Sequence, residues 1–232
     1  MGFKEYEREG REVYSALATT IAAILAAAIG AEDVYRLQQV KARAKQPASL
    51  LKKLEERHIA ATATLENDIK DLAGCRIIFY TNGDVTRFIN SGIIEQNFEV
   101  LEVKIYHPGR AVEDAAQPYV ANHYIVKLRP ERIALPEYAR FAGMRCEIQI
   151  HTILNHAWAE LEHDIVYKEP ALGDFGSREF DGIKSRLQKV ARKYLLPAGY
   201  EFQKIVSDFQ RLIEGKALFD DDALEAGIRI AP

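Results

Sequence analysis

Residues 146–168, CEIQIHTILNHAWAELEHDIVYK, change their period partway. In CEIQI apolar and polar residues alternate, as in a half-buried strand, with Cys146, Ile148 and Ile150 on one face and Glu147 and Gln149 on the other. After Thr152 the period is helical: His156, Glu160, His163 and Tyr167 follow steps of four, three and four, and Trp158, Leu161 and Ile165 form an apolar stripe beside them. A strand feeding a helix, each with one dry and one wet face, points to layers of sheet and helix packed on a shared core. The wet faces look either at solvent or at a ligand.

Other runs extend the pattern. CRIIFY (75–80) reads as a central strand, and FEVLEVKIYH (98–107), HYIVKLR (123–129) and MRCEIQI (144–150) as further strands, about four in all. Asn82-Gly83-Asp84 reads as a turn and cap, opening a helix over VTRFINSGIIEQ, and a loop is expected from about Pro108 to Pro118. Tyr14, Leu17, Ile21, Ile24 and Leu25 have helical spacing and Gly30 is a break, so two helices are expected in the first 45 residues. Pro47 suits the first position of a helix over 47–58. Helices are expected over 152–168, 177–195 and 199–214, with Pro170 and Pro197 as boundaries and a loose acidic tail after them. The fold class is therefore α/β (α+β), a mixed sheet flanked by N- and C-terminal helices. One domain over 1–232 is expected: a core of about 43–168, a helical extension 4–42, C-terminal helices 177–214 and a tail 216–232.

Composition narrows the function. A net charge of −3 gives no global basic field, so coating of nucleic acid is disfavoured and any polyanion site is local. Cys75 and Cys146 have no zinc-ligand pairing and read as small buried hydrophobes of a reducing cytosol. ALATTIAAILAAAIGA (16–31) is weak for a membrane span and begins too far in for a signal peptide; it reads as a packing helix.

Four stretches carry candidate chemistry. In RAKQPASLLKK (43–53), Arg43 and Lys45 precede a helix start, and Ser49 and Lys53 share one of its faces. That set suits a triphosphate, and equally a solvated basic face. Asp71 stands at the mouth of a buried strand, where it can meet a divalent cation or cap a turn. Arg76 lies among Ile77, Ile78 and Phe79 and needs a partner or an opening; its flat guanidinium can stack on a base. Tyr119 and His123, in QPYVANHYIV, offer a stacking ring and a hydrogen bond at a strand start. His156, Glu160 and His163 lack the spacing of a zinc protease, so a ligand-facing or structural polar network is preferred to zinc.

RAKQPASLLKKL, DLAGCRIIF, PYVANH and EIQIHTILNHAWAELEHDIVYK, taken in order, resemble the synthetase domain of the RelA/SpoT family, the makers of the alarmones ppGpp and pppGpp. The resemblance spans about residues 43–168. It implies a nucleotidyltransferase-like sheet, Mg²⁺, ATP as donor and transfer of pyrophosphate to the 3′-hydroxyl of GDP or GTP, in the cytoplasm. Carried over by motif position, Arg43 and Arg76 hold the adenine, and Lys45, Ser49 and Lys53 the ATP phosphates. Asp71 and Glu147 hold the metal, and Glu147 is the candidate base. Tyr119, His123, Gln149 and His156 make the acceptor site.

Two departures fall on the acceptor side. Pro118, Val120 and Ala121 surround Tyr119 where the family has Gly-Tyr-Arg-Ser, and His151 stands where arginine is common. With no hydrolase half beside it, the stretch resembles the small synthetase-only branch, unless the chain is a piece of a longer protein; that branch includes homotetramers and toxic relatives held by antitoxins. An alternative is thus pyrophosphorylation of adenosine nucleotides or the tRNA 3′ CCA end, with KSRLQKVARKY (184–194) as a cationic path or an ordinary amphipathic helix. A nucleotide-binding module without turnover is a third reading.

Overall fold

The computed structural model describes residues 1–104, 121–167 and 176–218. A long helix α1 (Arg11–Gly30) follows a short helical lead-in and runs to strand β1 (Leu37–Ala44), helix α2 (Pro47–Glu56) and strand β2 (Ala73–Phe79). Helices α3 (Asn82–Asn90) and α4 (Ile93–Asn97) lead to strand β3 (Phe98–Lys104). Then come β4 (Asn122–Leu128), β5 (Cys146–Thr152), α5 (Ile153–Glu162), α6 (Ser177–Val190) and α7 (Leu196–Ile213). The five strands form one sheet in the order β1-β2-β5-β4-β3, with β2 and β5 parallel and every other pair antiparallel.

The mixed sheet with flanking helices is the architecture the sequence implied. The N-terminal reading of two helices is corrected: one helix occupies that segment, and residues 37–44 are a fifth strand. LQQVKARA has helix-tolerant residues, but as an antiparallel edge its backbone pairs with β2 from Leu37↔Phe79 to Ala44↔Ala73, and that pairing outweighs propensity. The expected helix over 85–96 is broken at Gly92, whose φ of 73° only glycine adopts at little cost. Gly74 lies inside β2. Pro197 does not end a helix. A π-helical turn, Ala191–Leu195, joins α6 to α7, and such a wide turn relieves the clash between a proline ring and the carbonyl four residues earlier. The expected loop 108–118 and the end of the acidic tail lie outside the described residues.

One face of the sheet is dry. Cys75, Ile77 and Phe79 of β2, Ile148 and Ile150 of β5, and Tyr124 and Val126 of β4 belong to a core shared with Tyr14, Leu17, Ile21, Leu25 and Ile29 of α1. By length and composition the helix through α1 could cross a membrane, but here its apolar side is spent on this sheet. Both cysteines are buried free thiols within the sheet, and burial pushes the Cys75 thiol up to about 12. The N-terminal segment also ties down the start of α2: the Tyr6 hydroxyl donates to the Lys45 carbonyl at 2.7 Å, and the Lys45 amide to the Leu72 carbonyl at 2.9 Å. Trp158 anchors the C-terminal helices, its indole N–H donating to the Leu187 carbonyl at 3.1 Å.

Candidate active site

Strand register decides what the other face of the sheet holds. Directly paired residues share a face, so Lys41 and Arg43 of β1, Gly74 and Arg76 of β2, Glu147 and Gln149 of β5, and His123 and Ile125 of β4 line up across it. Gly74 keeps this surface low under Arg43, whose Cγ would lie 3.4 Å from a Cβ added there. Asp71 precedes β2, so strand parity says nothing of its direction. It lines one cleft of about 180 Å³ together with Lys53, His123 and Glu147. Two carboxylates from separate strand ends thus meet over one space.

Each carboxylate is held ionised. Lys45 and Lys53 donate to the two oxygens of Asp71 at 2.7 and 2.9 Å. Burial alone would raise the Asp71 pKa, but the two lysines override it and hold it at about 2. Burial also lowers the pKa of Lys45, against the pull of Asp71. Glu147 accepts from His123 Nδ1 at 3.1 Å and from Gln149 Nε2 at 2.7 Å. These bonds outweigh burial and the neighbouring Asp71 charge, and its pKa is lowered. A pair of ionised, hard oxygen donors at the floor of a cationic cleft fits Mg²⁺, which takes one or two protein carboxylates and completes its shell with phosphate and water.

Beside this pair stands a second cluster. Arg76 Nε and Nη2 donate to Gln149 Oε1 at 3.2 and 3.0 Å, and Nη1 lies 3.0 Å from His156 Nδ1 and against the Glu160 carboxylate. Arginine only donates, so His156 Nδ1 accepts and its ring is neutral with the proton on Nε2. Burial and the Arg76 charge lower its pKa accordingly. Behind them His151 is 1% exposed; burial first, then Arg76 and the rings of His123 and His156, drive its pKa down to about 2.

The expected residues therefore fall into two linked groups. Lys53, Asp71, Glu147 and His123 line the cleft, with Lys45 bonded to Asp71; Arg76, Gln149 and His156 form the network next to it. Ser49 is half-buried on α2 between Lys45 and Lys53 in sequence, and Arg43 is exposed at the β1 edge. Arg76, expected on the donor side, bonds to Gln149 and His156, expected on the acceptor side, so the two groups are in contact rather than apart. Tyr119 lies outside the described residues. Arg57, Lys70, Glu102 and Lys104 also line the cleft and were not singled out from the sequence, nor was Glu160 placed in the site. A signal for some was present: Glu102 and Lys104 alternate with Leu101 and Val103 and pair with Ile125 and His123, and Glu160 is one helical turn after His156.

Comparison with known proteins adds three findings. The family profile described as "Region found in RelA / SpoT proteins" matches residues 42–171. GTP pyrophosphokinase YwaC of Bacillus subtilis (strain 168) is 29% identical over 133 residues, 57% of this chain and 59% of that protein, so the match spans under two thirds of the curated relative. Among solved structures, a GTP pyrophosphokinase family protein from Streptococcus pneumoniae superposes with a TM-score of 0.63 at 27% identity, covering 94% of this chain and 97% of that one. Small alarmone synthetase 1 from Bacillus subtilis gives a TM-score of 0.66 at 23% identity over 85% of this chain and 94% of that one, a likeness of fold. That enzyme has also been solved bound to its product pppGpp, at 22% identity and a TM-score of 0.60, over 84% of this chain and 91% of that one.

Proposed function

The chain belongs to the RelA/SpoT family, and from that premise we propose that it is a pyrophosphokinase that moves the β,γ-pyrophosphoryl group of ATP to the 3′-hydroxyl of GDP or GTP and releases AMP. The observation that carries this reading is the cleft in which Asp71 and Glu147 face the same space as Lys53. Attack of the 3′-oxygen on the β-phosphorus forms a P–O bond, breaks the bridge to the α-phosphate and frees the hydroxyl proton. Glu147, ionised and held by His123 and Gln149, is the base we assign to that proton. Lys45, Ser49 and Lys53 grip the phosphates, where charge builds during transfer, and Arg43 and Arg76 hold the adenine. Asp71 and Glu147 are the residues that would hold Mg²⁺, which when bound would add charge neutralisation at the phosphates. His123, Gln149 and His156, with Tyr119, are assigned to the acceptor.

The relative's name, GTP pyrophosphokinase, and the product pppGpp of the structural neighbour support guanosine nucleotides as acceptors. We assign the activity to the cytosol, where these nucleotides reside, and to the chain as one folded unit with its N- and C-terminal helices. Incubation with γ-labelled ATP and Mg²⁺, separately with GDP, GTP, ATP and deacylated tRNA, tests it. The expected result is stoichiometric AMP and a labelled guanosine product. Label on tRNA or on an adenosine nucleotide alone would replace the acceptor assignment, and binding without AMP release would leave only a nucleotide-binding module.

A further inference from the structure

The guanidinium of Arg76 has partners around its whole edge. Gln149 takes Nε and Nη2, while His156 and Glu160 meet Nη1. Gln149 sits at the paired register position on β5, whereas His156 and Glu160 come from successive turns of α5. Edge-on hydrogen bonding leaves the flat faces of a guanidinium free of hydrogen bonds, and those faces are what a base stacks on; the Arg76 side chain keeps 15% of its surface exposed. Glu160 differs from the other partners in charge. Among the described residues it is the one carboxylate paired with Arg76, and Arg76 stands directly opposite Lys41 across the β1/β2 pair, with Arg43 next along that strand. Like charges at directly opposed positions repel, and Gln149 and neutral His156 do nothing to offset that repulsion.

We propose that Glu160 is a positioning residue for ATP binding, which acts through Arg76 by fixing the plane of its guanidinium and balancing the cations of β1. This rests on the assignment of Arg76 to the adenine. Glu160 itself makes no contact with substrate in this scheme; removing it frees Arg76 to swing away from Lys41 and lose its stacking pose.

A double-mutant cycle on the full chain tests the proposal, read by calorimetric affinity for a non-hydrolysable ATP analogue. Glu160→Ala is expected to weaken binding roughly tenfold, the scale of one charge-assisted hydrogen bond. Glu160→Gln, which keeps an acceptor but not the charge, should fall between it and the parent. In an Arg76→Ala background, Glu160→Ala should change affinity by less than about twofold, since coupled residues are non-additive. Thermal midpoints of the Glu160 variants should match the parent, because this side chain is 58% exposed. A full tenfold loss in the Arg76→Ala background, or unaltered binding by Glu160→Ala while Arg76→Ala binds weakly, overturns the role of Glu160 and spares that of Arg76. Unaltered binding by Arg76→Ala overturns both.

Discussion

Glu147 shows how a half-buried strand position becomes chemically available. A carboxylate this enclosed would normally hold its proton, yet two donors keep it ionised and leave it facing the cleft. Glu147→Gln retains the shape and removes the base, so turnover should drop by about 10²- to 10⁴-fold while affinity for an ATP analogue changes only a few fold. Near-parent turnover in a correctly folded variant would move the base elsewhere. His151 allows a second prediction, this time of stability. Its folded pKa is depressed to about 2 from an ordinary 6.5. Above about pH 6.5 neither folded nor unfolded chain protonates this ring and its contribution is fully present. As pH falls below that, the unfolded chain takes up a proton that the folded chain refuses, so stability declines until pH nears 2. Between pH 7 and 5 the loss from this ring is up to about 2 kcal/mol, and His151→Gln should flatten the urea-denaturation profile by that amount. At this scale the polar face of CEIQI was legible because its alternation is strict. The partnership of Asp71 with Lys45 and Lys53 was not, since Asp71 precedes its strand and loop geometry has no period to read.

Elements were legible where one face is strongly dry. β2 and β5 carry isoleucines and buried cysteines and could be nothing but interior strands, whereas β1 is an edge whose Gln38, Lys41 and Arg43 look like a helix or a loop in composition. Only its pairing partner makes it a strand. Helix α7 is the opposite case: well formed, amphipathic, and without a single buried residue. Its attachment to α3 includes the Gln203 side-chain carbonyl, which accepts from the Gly83 amide at 2.6 Å in the first turn of that helix. A Cβ at position 83 would sit 2.4 Å from Gln203 Oε1, so a side chain there would push the Gln203 amide off this bond. Gln203→Ala should therefore loosen α7 alone. Amide exchange over 196–213 is expected to quicken about five- to tenfold, the value of one hydrogen bond, with the global unfolding midpoint unchanged. Equal acceleration in β2 and β5 would mean that α7 is part of the global unit after all.

At the scale of the molecule, the stretch richest in motifs does not begin at an element boundary. The family match begins at residue 42, inside β1, and the expected core at 43 likewise cuts that strand. The residues assigned to nucleotides in the proposed reaction cluster in motifs because that chemistry restricts them. The residues that cover the sheet's other face are the Leu, Ile and Ala of α1, which any apolar helix could supply, so they carry no chemical signature while being indispensable to the fold. Tyr14, Leu17, Ile21, Leu25 and Ile29 are each at most 2% exposed. At roughly 2 kcal/mol per large side chain their burial is worth on the order of 10 kcal/mol, the whole net stability of a typical domain. A fragment of residues 43–168 should then show no cooperative thermal transition and should bind a hydrophobic dye, whereas the full chain unfolds in a single step. A cooperative transition in the fragment would show that strands β2 to β5 stand without α1 and β1, and would place the boundary of the folding unit where its motifs begin.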